Sequence, residues 1–131
     1  CRATGMRATI DATVRYAKQR EQFGKPIAHF QAVAHKLAEM EINYQVCRNA
    51  VYKAAWLKQE GLDCQLEASV AKAITGKLVV ENALEAIQIH GGYGYLRDFP
   101  VERALRDAKL TSIGGGTTEI QKMIISRLML A

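Results

Sequence analysis

Apolar residues fall at helical spacing along most of this chain. Met6, Ile10, Val14 and Ala17 recur at steps of three and four, which predicts a helix over residues 2–19. The rhythm breaks over residues 21–28, where Gly24 and Pro26 act as punctuation. It resumes from His29 to Glu60. There Val33, Leu37, Met40, Tyr44, Cys47 and Val51 form a heptad-like stripe suited to a bundle helix packed nearly antiparallel to its neighbours. Gly61 is expected to end that helix, and Asp63 to N-cap the next. The third helix is expected to turn Leu66, Val70, Ile74, Leu84 and Ile87 inward. Gly76 inside it costs about 1 kcal/mol against alanine, a cost that close helix packing would justify.

After residue 90 the character changes. Six of the ten glycines lie between Gly91 and Gly116. Pro100 suits the first turn of a short helix running to Asp107. Thr118-Glu119-Ile120-Gln121 has the form of a capping box, with Thr118 as N-cap of a last helix to Leu130. No segment alternates convincingly as a strand. The pattern predicts an all-α chain: an up-down four-helix bundle with two irregular, glycine-containing loops.

Composition narrows the reading. An apolar share of 49% over 131 residues is enough for one real core and excludes a disordered chain. Unbroken apolar runs are short, as at Leu78-Val79-Val80, so no membrane span is expected. Cys1, Cys47 and Cys64 are too few for a disulfide framework, and Cys47 sits on the apolar stripe as a small core residue. The opening Cys1-Arg2-Ala3, with no methionine, suggests a fragment or an excised domain. The net charge of +5 suits a solvated helical surface or an anionic partner. A nucleic-acid binder is the weakest candidate, because no basic stripe carries interleaved aromatics. No residues have metal-ligand spacing, so no metal is expected.

Three segments could carry chemistry. Gly114-Gly115-Gly116-Thr117-Thr118-Glu119 precedes a helix, where bare backbone N–H groups and the helix dipole favour an anion. A flexible connection followed by a routine cap fits the same residues. Gln88-Ile89-His90-Gly91-Gly92 ends the third helix, and His90 reads as a packing or capping histidine. His35 belongs on the surface and His29 at a helix start. Arg20-Glu21-Gln22-Phe23-Gly24 places a guanidinium at a helix end, suited to phosphate or to the helix's own last carbonyls.

In their joint order these segments resemble the acyl-CoA dehydrogenases. The motifs are Arg20-x-x-Phe23-Gly24-x-x-Ile27, Gln31, Gln88 to Gly94, Arg103 to Asp107, and Gly116-Thr117-Thr118-Glu119-Ile120. The resemblance spans residues 1–131 and is to the family's C-terminal helical domain, so the N-terminal helical and middle β-domains are absent here. It implies a four-helix bundle at the core of a homo-oligomer, a dimer or tetramer, with FAD as cofactor. It implies that Arg20 and Gln31, with Phe23 of the same motif, contact the FAD of a neighbouring subunit near its diphosphate. Gln88, Gly91 and Gly92 would meet the adenosine half of that FAD, and Thr117 and Glu119 the FAD of their own subunit. Gly115 and Gly116 would border the substrate.

The implied reaction is α,β-dehydrogenation of an acyl-CoA thioester, with electrons passed on to an electron-transferring flavoprotein. The implied setting is bacterial cytoplasm or mitochondrial matrix. In most members the base is a glutamate at the position held here by Gly115, which cannot take a proton. The resemblance therefore implies a base on the helix entering this domain, upstream of Cys1. A related flavin monooxygenase, or a standalone non-catalytic oligomerisation module, are the alternatives.

Overall fold

The computed structural model describes residues 3–131, with side chains from Gly5 onward. Cys1 and Arg2, and with them the expected helix start at residue 2, lie outside the described residues. Five helices account for most of the rest: α1 (Ala3–Gln19), α2 (Gln31–Gln59), α3 (Gln65–His90), α4 (Pro100–Thr111) and α5 (Thr118–Leu130). Short 3-10 turns cover Ile27–His29 and Gly91–Tyr95.

α3 is the centre of the bundle. α2 runs antiparallel to it, as the cross-links show: Lys36 pairs with Glu85 near one end and Lys53 with Glu67 at the other. Midway, the fully buried Asn82 amide donates to the Met40 carbonyl (2.8 Å) and accepts from the Asn43 amide (3.0 Å). A buried polar group satisfied from both sides fixes one register between the two helices. α4 packs antiparallel on the other side of α3. α3 and α4 come close at Gly76, where a Cβ would stand 3.4 Å from the Ser112 Cα, an ordinary contact distance that leaves room for alanine.

The stripe on α2 faces this core, with Met40 and Cys47 fully buried and Leu37 and Tyr44 packed against them. On α1, Met6, Ile10 and Ala17 are buried as the spacing predicted.

Of the inward set expected for α3, Ile74 and Ile87 pack against the core and the other three are corrected. Leu66, Val70 and Leu84 are exposed, while Ser69, Ala71, Thr75, Ala83 and Ala86 are buried. A helix packed against by neighbours on several sides buries small residues where backbones come close, and a single apolar stripe no longer marks its interior.

Three local expectations also change. Asp63 does accept from the Gln65 N–H (3.0 Å), but from one residue before the helix boundary at Cys64. The helix from Pro100 continues past Asp107 to Thr111. The N-cap of α5 is Thr117, whose hydroxyl accepts from the Ile120 N–H, and not Thr118, whose hydroxyl donates to the Ser112 carbonyl.

Residues 21–26 form a small antiparallel hairpin, β1 (Glu21–Gln22) and β2 (Lys25–Pro26), where no strand was expected. Its two-residue turn holds Phe23 at φ +53° and Gly24 at φ +79°. Positive φ at both central residues matches the right-handed twist of a hairpin, so Gly24 is at ease there and Phe23 is strained.

Candidate functional site

The candidate residues gather at the two ends of α3. At its C-terminal end, Arg20, Gly91 and Gly92 line one open cavity of about 380 Å³ together with Tyr16, His90 and Tyr93. A larger groove of about 620 Å³, between α1, α3 and α4, contains none of the candidate residues except Arg103 and Asp107 of the family-like segment.

Arg20 reaches the smaller cavity because α1 ends there and the chain turns into the hairpin. The Ile27 N–H donates to the Arg20 carbonyl (2.8 Å), closing the hairpin back on the helix end. The guanidinium carbon lies 5.4 Å from the centroid of the Tyr93 ring. Among the described residues no carboxylate pairs with it. Facing it, Gly91 (φ +60°) ends α3, and neither Gly91 nor Gly92 would bring a Cβ within 4 Å of another group. An unpaired guanidinium beside open backbone suits a phosphate.

The remaining candidates are spread around this site. Phe23 stands at the hairpin tip, 92% exposed, with its ring edge-on to Phe30 at 6.0 Å. A large apolar side chain held in a strained turn and left outside the core is not explained by folding within this chain, and such strain clusters at functional positions. Gln31, the first residue of α2, and Gln88, two residues before the end of α3, are exposed and do not line the cavity.

The second cluster lies beside the first half of α3. A Cβ on Gly115 would come to 3.8 Å from the Lys72 side chain, and the Lys72 ammonium donates to the Thr111 carbonyl at the end of α4. Lys72 and His90 are eighteen residues apart on one helix, so the two clusters are separated by roughly 27 Å. One copy of the chain therefore presents two separate clusters of candidate residues and does not join them. Gly115 (φ +72°) and Gly116 (φ +90°) carry the turn into α5. Glu119, in the first turn of α5, is held ionised: its own backbone N–H, then the Thr117 hydroxyl, lower its carboxyl below the usual range.

Sequence reasoning missed the aromatic wall of the first cavity. Tyr16 stacks on His90 with ring centroids 4.1 Å apart, and its hydroxyl donates to the His90 carbonyl (3.2 Å). Tyr93 and Phe99 complete the group, their rings 5.4 Å apart. The available signal was Tyr16 four residues before Arg20, which puts both on one face of α1.

His90 is a packing residue, as its sequence context suggested. It is 4% exposed and its Nδ1 lies 2.7 Å from the Ala86 carbonyl, which can only accept, so the neutral ring carries its proton on Nδ1. Burial pushes its pKa down from the ordinary 6.5. Below that pH the unfolded chain takes a proton that the folded chain resists, so the contribution is intact above about pH 6.5 and is lost as pH falls. We expect the urea midpoint of the parent to drop more between pH 7.5 and 5.5 than that of His90→Gln. Equal drops would remove His90 as the cause.

Comparisons with known proteins show the family and the fold. A family model described as "Acyl-CoA dehydrogenase, C-terminal domain" matches residues 1–130. An acyl-CoA dehydrogenase of Bacillus subtilis is 52% identical over 123 residues, covering 94% of this chain and 32% of the relative. The structure of butyryl-CoA dehydrogenase from Megasphaera elsdenii superposes with a TM-score of 0.97 at 43% identity, covering 98% of this chain and 34% of that one. An FAD complex of PigA superposes with a TM-score of 0.93 at 32% identity, covering 97% of this chain and 33% of that one. The chain thus spans about a third of the length of its relatives.

Proposed function

Because the chain belongs to the acyl-CoA dehydrogenase family, matching its C-terminal domain over residues 1–130, we propose that it is the cofactor-contacting bundle of an FAD-dependent enzyme that desaturates an acyl-CoA thioester between its α and β carbons. The observation that carries this reading is the free guanidinium of Arg20, held in one cavity with Gly91 and Gly92 from seventy residues away. The bound FAD complex of PigA, a structural neighbour, supports FAD as the group that both half-sites receive.

In this reading each residue has a defined task. Arg20 offers paired N–H donors to a diphosphate, and Gly91 and Gly92 let the adenosine half approach bare backbone. Phe23, Gln31 and Gln88 complete that half-site from the surface. At the other half-site Thr117 and Glu119 present the first turn of α5, where the helix N-terminus adds positive potential. Bound FAD supplies the hydride acceptor. Gly115 and Gly116 leave room for the thioester, and the α-proton goes to a carboxylate upstream of Cys1. Electron-transferring flavoprotein is the partner that would receive the electrons.

The roughly 27 Å along α3 between the two clusters supports a reading in which a second copy completes each flavin site, in a dimer or tetramer. Exposed apolar side chains on α2 and α3, among them Ile42, Trp56, Val70 and Leu84, offer surface for it. No described helix is long and apolar enough to cross a membrane.

The test is reconstitution. Apoprotein of the intact enzyme is titrated with FAD, following flavin fluorescence. Arg20→Ala should weaken binding about 10- to 100-fold, the size of a charged hydrogen-bond pair. Arg20→Lys should recover only part of it, because an ammonium keeps the charge and loses the fork. Unchanged affinity in Arg20→Ala would remove Arg20 from the cofactor site.

A further inference from the structure

We propose that Tyr93 is a positioning residue, whose ring face holds the Arg20 guanidinium with its N–H edges free for a diphosphate. This rests on the cofactor reading of Arg20 given above. A guanidinium has one flat face and an edge of donors. A carboxylate partner would occupy the donors and cancel the charge. An aromatic face orients the group from its flat side and leaves both intact. Arg20 has the second kind of partner, with its guanidinium carbon 5.4 Å from the Tyr93 centroid and no carboxylate paired to it among the described residues.

The shelf is itself braced. Tyr93 lies in the 3-10 turn Gly91–Tyr95, which folds flat against the end of α3. Gly94 makes that possible, since a Cβ there would stand 2.6 Å from the Ile87 carbonyl oxygen. Behind Tyr93, Phe99 packs at 5.4 Å and Tyr16 meets it edge-on at 6.5 Å. Tyr16 is held in turn by its stack on His90 and its hydrogen bond to the His90 carbonyl. Four rings from three segments thus fix one plane, and Arg20 lies on it. Without that plane a long, flexible side chain at the end of α1 would have to be ordered by the ligand alone.

A double-mutant cycle on the intact apoprotein, read as FAD affinity, tests this. Tyr93→Leu should weaken FAD binding about three- to fivefold, the size of an exposed cation–π contact. Tyr93→Phe, which keeps the ring, should stay within about twofold. In the Arg20→Ala background, Tyr93→Leu should have no further effect. Equal weakening in both backgrounds would overturn the proposal while leaving Arg20 in the cofactor site. Unchanged binding in Arg20→Ala alone would instead overturn the cofactor reading, and this inference with it. Should Tyr93→Leu prove poorly folded, a trifluorinated phenylalanine at position 93 keeps the shape and withdraws the π-density. It should weaken binding as Tyr93→Leu was meant to, and unchanged affinity would overturn the proposal.

Discussion

Gly94→Ala is expected to cost the domain about 2–3 kcal/mol of unfolding free energy, the upper end for overpacking a tight site. The added Cβ would lie 2.6 Å from the Ile87 carbonyl oxygen and 2.9 Å from the Ile87 Cα. Both belong to the α3 backbone, which cannot move aside as the end of a flexible side chain can. Relief requires the 3-10 turn to lift off α3, carrying Gly91, Gly92 and Tyr93 away from Arg20. Loss of stability and loss of flavin should therefore come together. Gly92→Ala separates them. Its Cβ meets nothing within 4 Å, and its backbone is not left-handed. It should leave the urea midpoint nearly unchanged, within about 0.5 kcal/mol, yet weaken FAD binding by standing where the ligand approaches the chain. If Gly94→Ala left both stability and flavin affinity intact, the turn could not be the rigid floor of this site. If Gly92→Ala bound FAD normally, its backbone would not meet the cofactor.

How far the sequence announced this arrangement depended on how many sides of each element are covered. α2 has one covered face, so the stripe from Val33 to Val51 marked it from the sequence alone. α3 is enclosed by α1, α2, α4 and α5, and a helix buried on several sides carries no single stripe. Three of its large apolar residues, Leu66, Val70 and Leu84, then belong to outward faces, while Leu78, Val79 and Ile89 share the crowded interior with alanines and hydroxyl residues. That error is informative, since the same three residues become candidate contact surface for another copy.

The site was legible as a set of residue types and not as a geometry. Arginine, paired glycines and a helix N-terminus each suggested an anion, and their order pointed to one family. Nothing in the order showed that Arg20 meets Gly91 at one end of α3 while Gly115 lies at the other. The hairpin escaped notice because two-residue strands are too short to alternate. Its one local signal was Phe23-Gly24, where glycine suits the second place of a tight turn and phenylalanine does not suit the first. The capping threonine was misplaced by one residue because Thr117 and Thr118 are adjacent and both read as caps. The neighbouring backbone decided the matter, as the Ser112 carbonyl takes the Thr118 hydroxyl and leaves Thr117 to cap.

Putting a carboxylate at position 115 should not create a catalytic base. Gly115 sits at φ +72°, where a residue with a Cβ costs about 1–2 kcal/mol. There is space for the side chain, since the only group within 4 Å of a Cβ is the Lys72 Cε at 3.8 Å. That neighbour works against the chemistry. An ammonium beside the new carboxylate favours its ionised form and makes it a weaker proton acceptor. The adjacent turn is equally constrained, because Gly116 is left-handed and a Cβ there would lie 2.7 Å from the Gln121 amide nitrogen. Gly115→Glu should therefore add no turnover to the intact enzyme and should lower its stability by about 1 kcal/mol after any Lys72 pairing. The complementary variant replaces the carboxylate proposed upstream of Cys1 by its amide. It should cut turnover about 10²- to 10⁴-fold, the usual contribution of a positioned base, while FAD still binds. Combining the two decides where the base lies. If Gly115→Glu returned the amide variant to near parental turnover, position 115 would be a working base site despite its backbone. Continued inactivity, with flavin bound and stability lowered by no more than about 1 kcal/mol, would favour a base on the helix that enters this domain and leave Gly115 as open space beside the thioester.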